Sequence, residues 1–509
     1  MQIIKSGIVV ALFTLLSRVF GYIRDILMAS YLGLHADAFA VAFRLPNTFR
    51  SLFAEGAFSS AFVPMFSSKL SSEGQKKALN FASQVYSLLI LKLAIFIGIM
   101  LFFMPQVVSI LAPGFSNSPD KLLLTINLSY FTMPYLFFIA LASLHAGVLN
   151  SSGKFAIAAA LPIVLNLVMI LAILFLTPYS SDPSHALSYG VFIAGIAQLL
   201  IMIYSTHRAS LQIKLIKPIY DSDDIKQMFR NMVPTIIGSG IVQINISIDT
   251  IIASYFEGAA SVLYYADRLN QFPLAIIGTA LGTVLLPTLS KQVREKNIEA
   301  AMITQNKALE VALFFALPCA FALVAISNTL VSFLFERGHF SAEDSYKVAN
   351  VLRILATGLP AFIMVKIFTP RYFAQYDTST PVRISFFCII LNIVISLSLV
   401  QILSYVGIAI ATSISAWINI GLLYYFQHKR KMFIINKKLI SQTFKIIFAC
   451  SLMVSALLLF EKFILQQYAS LWLLFLVEIA LGIIIYFSIN HYLKILDLSF
   501  LFKKGKVNG

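Results

Sequence analysis

Long apolar runs separated by short polar breaks organise this chain from one end to the other. They fall at roughly 6–32, 37–64, 80–111, 123–149, 155–177, 186–206, 230–256, 260–289, 308–335, 346–370, 381–402, 406–427, 441–460 and 468–490. At about 1.5 Å per residue each is long enough to cross about 30 Å of hydrocarbon, so the pattern predicts fourteen membrane-spanning helices. A transmembrane β-barrel is not expected, because the runs are continuous and not ten-residue alternations.

Composition agrees with that pattern. Of 509 residues, 59% are hydrophobic and only 12% charged, with a mean hydropathy of +0.86. A water-soluble globule and a disordered chain are both excluded by that balance. The formal net charge of +16 suggests nucleic acid until the basic residues are placed. They lie mostly in short loops. With the N-terminus on the cytoplasmic side, 26 of the 38 Lys and Arg residues fall in cytoplasmic segments and only Lys121, Arg337, Lys347 and Lys462 opposite. That bias predicts both termini in the cytoplasm and an even number of spans. The run Ile8–Leu16 after Lys5 leads into Arg18 without a small-residue cleavage site, so it reads as the first span and not as a signal peptide. Cys319, Cys388 and Cys450 sit far apart in apolar runs and form no disulfide framework.

The chain also repeats itself. Ala29-Ser30-Tyr31-Leu32 recurs as Ala253-Ser254-Tyr255-Phe256, and Arg44-Leu45 as Arg268-Leu269. Pro64 and Pro287 precede Ser68-Lys69 and Ser290-Lys291. Val108-Ser109 with Gly114 matches Val331-Ser332 with Gly338, and Leu165-Asn166 matches Leu391-Asn392. Ordered matches at a nearly constant offset imply a duplicated six-helix unit, and an even repeat gives both copies one orientation. The expected organisation is an all-α polytopic protein. It has an N-lobe over 1–215, a C-lobe over 216–432, and two unpaired helices with a cytoplasmic tail over 433–509.

Charge within a span costs at least about 2.5–3.5 kcal/mol, so intramembrane charges are the first candidates for function. The first run carries Arg18, Arg24 and Asp25, with Gly21 between. The second begins at Asp37 and carries Arg44, Arg50 and Glu55, with Pro46 as a kink. The eighth adds Asp267-Arg268. Two readings stay open. Arg18 with Asp25 and Asp37 with Arg44 are each seven residues apart on one helix face, so they suit structural pairs. As a set, the arginines outnumber the acids, and a net-positive cavity is costly unless an anion visits it. The planar guanidinium suits phosphate oxygens, which points to a phosphate-bearing cargo.

Other chemistries are thin. No Walker A sequence and no HExxH spacing occurs, so neither ATP binding nor a zinc site is expected. Gly278 and Gly282 form a small-residue face suited to helix packing. Asp249 and Asp377 are the two acids considered for a shared cation, against solvated or capping roles. Lys429-Arg430-Lys431 reads as a contact with anionic membrane lipid.

At Ser17-Arg18-Val19-Phe20-Gly21 through Arg24-Asp25, Asp37-Ala38-Phe39 and Arg44-Leu45-Pro46-Asn47 the chain strongly resembles the bacterial MurJ (MviN) family. The same holds for Arg50 through Phe53-Ala54-Glu55-Gly56-Ala57-Phe58, for Ala112-Pro113-Gly114-Phe115, and for Tyr264-Tyr265-Ala266-Asp267-Arg268-Leu269. The resemblance extends over essentially all fourteen runs. It implies a lipid II flippase of the multidrug/oligosaccharidyl-lipid/polysaccharide exporter superfamily, a transporter and not an enzyme, in the bacterial cytoplasmic membrane. It further implies two lobes alternating access to a central cavity, with Arg18, Arg24 and Arg268 on the pyrophosphate and Arg50, Glu55, Asp37 and Asp25 at further substrate positions. The last two helices are implied to receive the polyprenyl tail. No cofactor is implied beyond membrane potential or a monovalent cation, for which Asp249 and Asp377 have apolar neighbours such as Ile389 and Ile393. The rival readings are an exporter of another polyprenyl-linked glycan, a drug/cation antiporter, which wants an acidic cavity, and a polytopic enzyme, which wants a catalytic cluster.

Overall fold

A computed structural model describes residues 2–52, 58–217, 222–464 and 471–495. Among them the regular structure is entirely helical, with no strand. The helices are α1 (Gln2–Leu32), α2 (Asp37–Phe49), α3 (Phe58–Ser72), α4 (Gln75–Phe102), α5 (Met104–Leu111), α6 (Pro119–Thr132) and α7 (Tyr135–Ser151). Next come α8 (Phe155–Phe175), α9 (Pro183–Arg208), α10 (Asp223–Ala253), α11 (Ala259–Pro273), α12 (Thr279–Arg294), α13 (Ile298–Ala325) and α14 (Ser327–Phe335). The last are α15 (Ala342–Phe373), α16 (Ser379–Leu403), α17 (Val406–Lys429), α18 (Lys437–Ile464) and α19 (Leu471–Tyr492).

Twelve stretches of the described residues are long and apolar enough to span a membrane. The expected fourteen differ from these at two places. The first two runs join into one stretch, Val9–Leu52, because only a 3-10 turn, Gly33–Ala36, separates α1 from α2. The seventh run is α10, a continuous helix of 31 residues, several of whose side chains lie outside the described residues. An apolar helix flank left bare in water would be an aggregation surface, and α16 has one: Phe386, Phe387, Ile390, Val394 and Leu397 are all exposed. The chain is a multi-span membrane protein, and lipid is the solvent for that flank.

The helices gather into two compact units. The first holds Met1–Ser261 with Arg337–Ser341, and the second holds Val262–Glu336 with Ala342–Gly509. In the first, α1 packs on α8, α8 and α7 on α9, α2 on α6, and α10 on α3 and α5. In the second, α15 and α16 pack on α17, α13 on α15, α18 on α13, and α19 on α18 and α14. The internal repeat is visible in the elements themselves. The pair α4–α5 has its counterpart in α13–α14, and π-helical turns at 50–52 and at Leu274–Gly278 begin 224 residues apart.

Proline shapes the packing in a way that carbonyl bookkeeping explains. A proline inside a helix has no N–H for the carbonyl four residues earlier, and in lipid that carbonyl must find another donor. Pro46 releases the Ala42 carbonyl, which accepts from the Thr132 hydroxyl of α6 at 2.8 Å. Pro318 releases the Phe314 carbonyl, which accepts from the Tyr486 hydroxyl of α19 at 2.5 Å. Each kink is thus a polar dock for a neighbouring helix.

Candidate functional site

Arg24 lies in the second half of α1, where that helix packs on α8, and is 3% exposed. Its Nε and Nη2 both donate to Oδ1 of Asp25, at 3.0 and 2.7 Å, and its Nη1 donates to Oδ1 of Asn166 at 2.9 Å. Asn166 is fixed in turn, since its Nδ2 donates to the Ser17 carbonyl at 3.0 Å. The group ties α1 to α8 and holds the guanidinium plane. Asp25 is therefore the partner of Arg24 and not of Arg18, which corrects the seven-residue pairing. A flexible guanidinium curls back onto the next residue, whereas two side chains seven apart start about 10 Å apart along the axis. Arg18 is half-buried six residues earlier on α1.

Asp37 starts α2 and is fully buried. Its Oδ2 accepts from Lys121 Nζ at 2.7 Å and from the Gly258 amide at 2.9 Å, and its Oδ1 accepts from the Ser261 amide at 2.7 Å. These amides open α11, where unsatisfied N–H groups and the helix dipole favour a carboxylate. Arg44 donates instead to the Ile246 carbonyl at 3.2 Å, so the second seven-residue pair also dissolves. Arg50 begins the π-helical turn, and its Nε donates to Oδ1 of Asn47 at 3.2 Å. Glu55 and its neighbours 53–57 lie outside the described residues.

In the second unit, Arg268 is half-buried on α11 with its guanidinium 5.7 Å from the ring centre of Tyr264, a cation–π arrangement. Asp267 beside it is exposed and accepts from Gln271. Asp249 is half-buried on α10 of the first unit. Asp377 lies between α15 and α16. It accepts from Arg430 Nη1 at 2.6 Å, from the Thr380 hydroxyl at 2.6 Å and from the Thr380 amide at 2.9 Å. Partial burial works against its charge, but these donors together hold the carboxyl well below the usual carboxylate range. No cluster of three or more His, Cys, Asp or Glu side chains suited to a metal occurs among the described residues.

Three polar groups were not singled out as candidates in the sequence. Asn166 was visible only as a repeat match, and Lys121 only as one of four basic residues on the sparse side. Glu478, buried in α19, was signalled by the same rule that singled out the arginines, an ionisable group inside an apolar run.

A helical, multi-span chain of two repeats, with a buried arginine–carboxylate pair inside its first span, has the architecture of a polytopic membrane protein, and its relatives give the class. An inward-facing MATE multidrug transporter of the MOP superfamily matches 83% of the chain at a TM-score of 0.71 and 12% identity, a likeness of fold alone. The chain belongs to the MurJ family, whose model, described as "Lipid II flippase MurJ", matches residues 28–478. A "Probable lipid II flippase MurJ" of Rickettsia prowazekii (strain Madrid E) is 38% identical over 504 residues, 98% of this chain and 99% of that one. The corresponding protein of Vibrio cholerae serotype O1 is 32% identical over 469 residues, 90% of this chain and 89% of that one. A solved "Lipid II flippase MurJ, inward closed conformation" superposes with a TM-score of 0.80 at 25% identity, covering 97% of this chain and all of that one.

Proposed function

We propose that this chain carries lipid II, the undecaprenyl-pyrophosphate-linked peptidoglycan precursor, from the inner to the outer leaflet of a bacterial cytoplasmic membrane. The observation that carries the reading is the full-length kinship to proteins of that printed name. The headgroup cannot cross about 30 Å of hydrocarbon unaided, so the protein must shield it while the tail stays in lipid. Arg18, Arg24 and Arg268 bind the pyrophosphate, with Arg50, Glu55, Asp37 and Asp25 setting their positions and balance. Alternating access then moves the headgroup across, without making or breaking a covalent bond. Both termini are cytoplasmic on the 26-to-4 charge bias. An inside-negative potential favours outward movement of the anionic headgroup by up to about 2.3 kcal/mol per charge per 100 mV. A cation at Asp377 would have to displace Arg430, so potential is the better supported driving force.

The test is rescue of cells depleted of their own lipid II flippase, with membrane levels checked. Arg18→Ala and Arg268→Ala should fail to rescue while Arg353→Ala, on α15, still rescues. Growth of both variants like the parent would remove the arginines from substrate binding. Failure of the parent itself would move the cargo to another polyprenyl-linked glycan.

A further inference from the structure

The appended helices hold a buried carboxyl that the transport reading leaves unused. Glu478 lies within α19, in a stretch with a mean hydropathy of 2.4, and is 1% exposed. Its one partner among the described residues is the Thr329 hydroxyl of α14, 3.4 Å from Oε1, and Oε2 is buried without a hydrogen bond. The two helices meet on a single built face. Phe333, one turn after Thr329, stacks on Phe475 at 4.2 Å between ring centres and meets Trp472 edge-on at 4.6 Å. Trp472, Phe475 and Glu478 are spaced at three-residue intervals, so the acid ends an aromatic stripe that starts near the membrane surface.

Among the described residues this carboxyl has no counter-ion within ion-pair distance. α14 carries no titratable side chain. α18 brings Glu461 and Lys462 near its C-terminal end, and Cys450 and Lys445 further along. From α13 comes Cys319, and α19 itself adds Tyr486, engaged with Phe314, and His491. A buried carboxylate with one weak donor is poorly supported, whereas a carboxylic acid needs no counter-ion. A metal ion would need several oxygen ligands, and the site offers one carboxyl and one hydroxyl.

We propose that Glu478 is a proton-binding site of the transport cycle, loaded from the membrane face at which α19 begins. Uptake forms an O–H bond at Oε2 with hydronium as the source and water as the product, and release returns the proton to water when α14 and α19 part. Thr329 is its positioning residue. The proposal rests on the flippase reading for its meaning in transport but not for the binding event itself.

The experiment uses the full chain in lipid vesicles and two readouts. Infrared difference spectra between about pH 5 and 8 should show a carboxylic-acid band that titrates and that Glu478→Gln removes. Thr329→Val should keep the band and displace its midpoint. Flipping of labelled lipid II should depend on pH in the parent, and Glu478→Gln should flatten that profile while leaving the fold intact by circular dichroism. Should Glu478→Gln misfold, Glu478→Asp with a displaced band carries the same test. An acid that stays protonated or stays ionised across the range, or a pH profile that Glu478→Gln leaves unchanged, overturns the proposal. Titration of the band in a parent that moves no lipid II would uphold the site and refute the cargo instead.

Discussion

The carbonyl of Ser30, two residues before the end of α1, accepts the backbone amide of His339 at 2.8 Å, with Gly338 pressed against the same carbonyl. The arrangement has a counterpart one repeat away. Ser254, which aligns with Ser30, accepts the amide of Gly114 on its hydroxyl at 3.0 Å, and Gly114 aligns with Gly338. Each repeat thus presents a glycine-bearing loop to the serine of the other. At Gly338 φ is +59°, and an added Cβ would run into the Ser30 carbonyl. At Gly114 it would run into the backbone joining Ser254 and Tyr255.

Alanine at Gly338 should therefore cost about 1–3 kcal/mol of stability, from left-handed backbone strain before any clash is counted. Gly114→Ala should destabilise through the clash alone. Gly98→Ala, where nothing lies within 4 Å of the new methyl, should not. Thermal unfolding of the solubilised protein compares the three, and equal melting temperatures for Gly338→Ala and Gly98→Ala would contradict the geometry.

Arg24 has to be tested with its partner in view. Removing it alone takes an ion-pair partner from the fully buried Asp25, which should destabilise the fold and depress membrane levels whatever its transport role. Arg24→Ala with Asp25→Ala should restore most of that level. If the double variant also rescued growth, Arg24 would be a structural cation only. Normal abundance without growth would separate substrate binding from folding.

Asp37→Ala should leave the Gly258 and Ser261 amides without an acceptor, at about 1–3 kcal/mol or more. Lys121→Met removes a partner whose side chain is 24% exposed and leaves Asp37 its two amides, so it should cost less than Asp37→Ala. Equilibrium unfolding of both variants reads the ratio, and equal losses would mean that the ion pair outweighs the helix start.

Much of this could be read from residue pattern alone, and the exceptions have physical causes. Apolar runs locate helices because hydrocarbon leaves the backbone no alternative, and a lone residue such as Arg24 stands out for the same reason. Partners are another matter. Asp25 was the near neighbour that helical periodicity discounts, and Asn166 is 142 residues from Arg24, reachable only through the packing of α8 on α1. Tyr486 is one tyrosine among 21 until Pro318 is known to leave Phe314 without a donor. α10 repeats α1 in sequence, yet no pattern tells that it packs with the first unit.

The Pro318 dock gives its own expectation. Tyr486→Phe should lose about 0.6–2 kcal/mol, the range for one interhelical hydrogen bond in a membrane protein. Leu458→Ala, exposed on α18, should lose less. Protease sensitivity of the α18–α19 pair, measured on the intact chain, should rise in the first variant and stay level in the second.

The Asp377–Arg430 pair predicts an acid response. Because the folded carboxyl is held below its ordinary value, its contribution is present above the unfolded pKa and is lost only as pH falls through the depressed one. Asp377→Asn should therefore lower the melting temperature by a constant amount from neutrality down to about pH 4, with the gap to the parent closing only below that. A gap that already closes near pH 6 would be the wrong sign.

The border of the first compact unit at Ser261 does not coincide with the start of the second repeat. Dividing the gene where the sequence begins to copy itself would strip α3 and α5 of α10 and leave Asp37 with no α11 amides to receive. Two such half-proteins would have to trade these pieces to become whole. An ancestral single-copy chain built on the same contacts would have done so with its twin, as an exchanged pair before any fusion joined them.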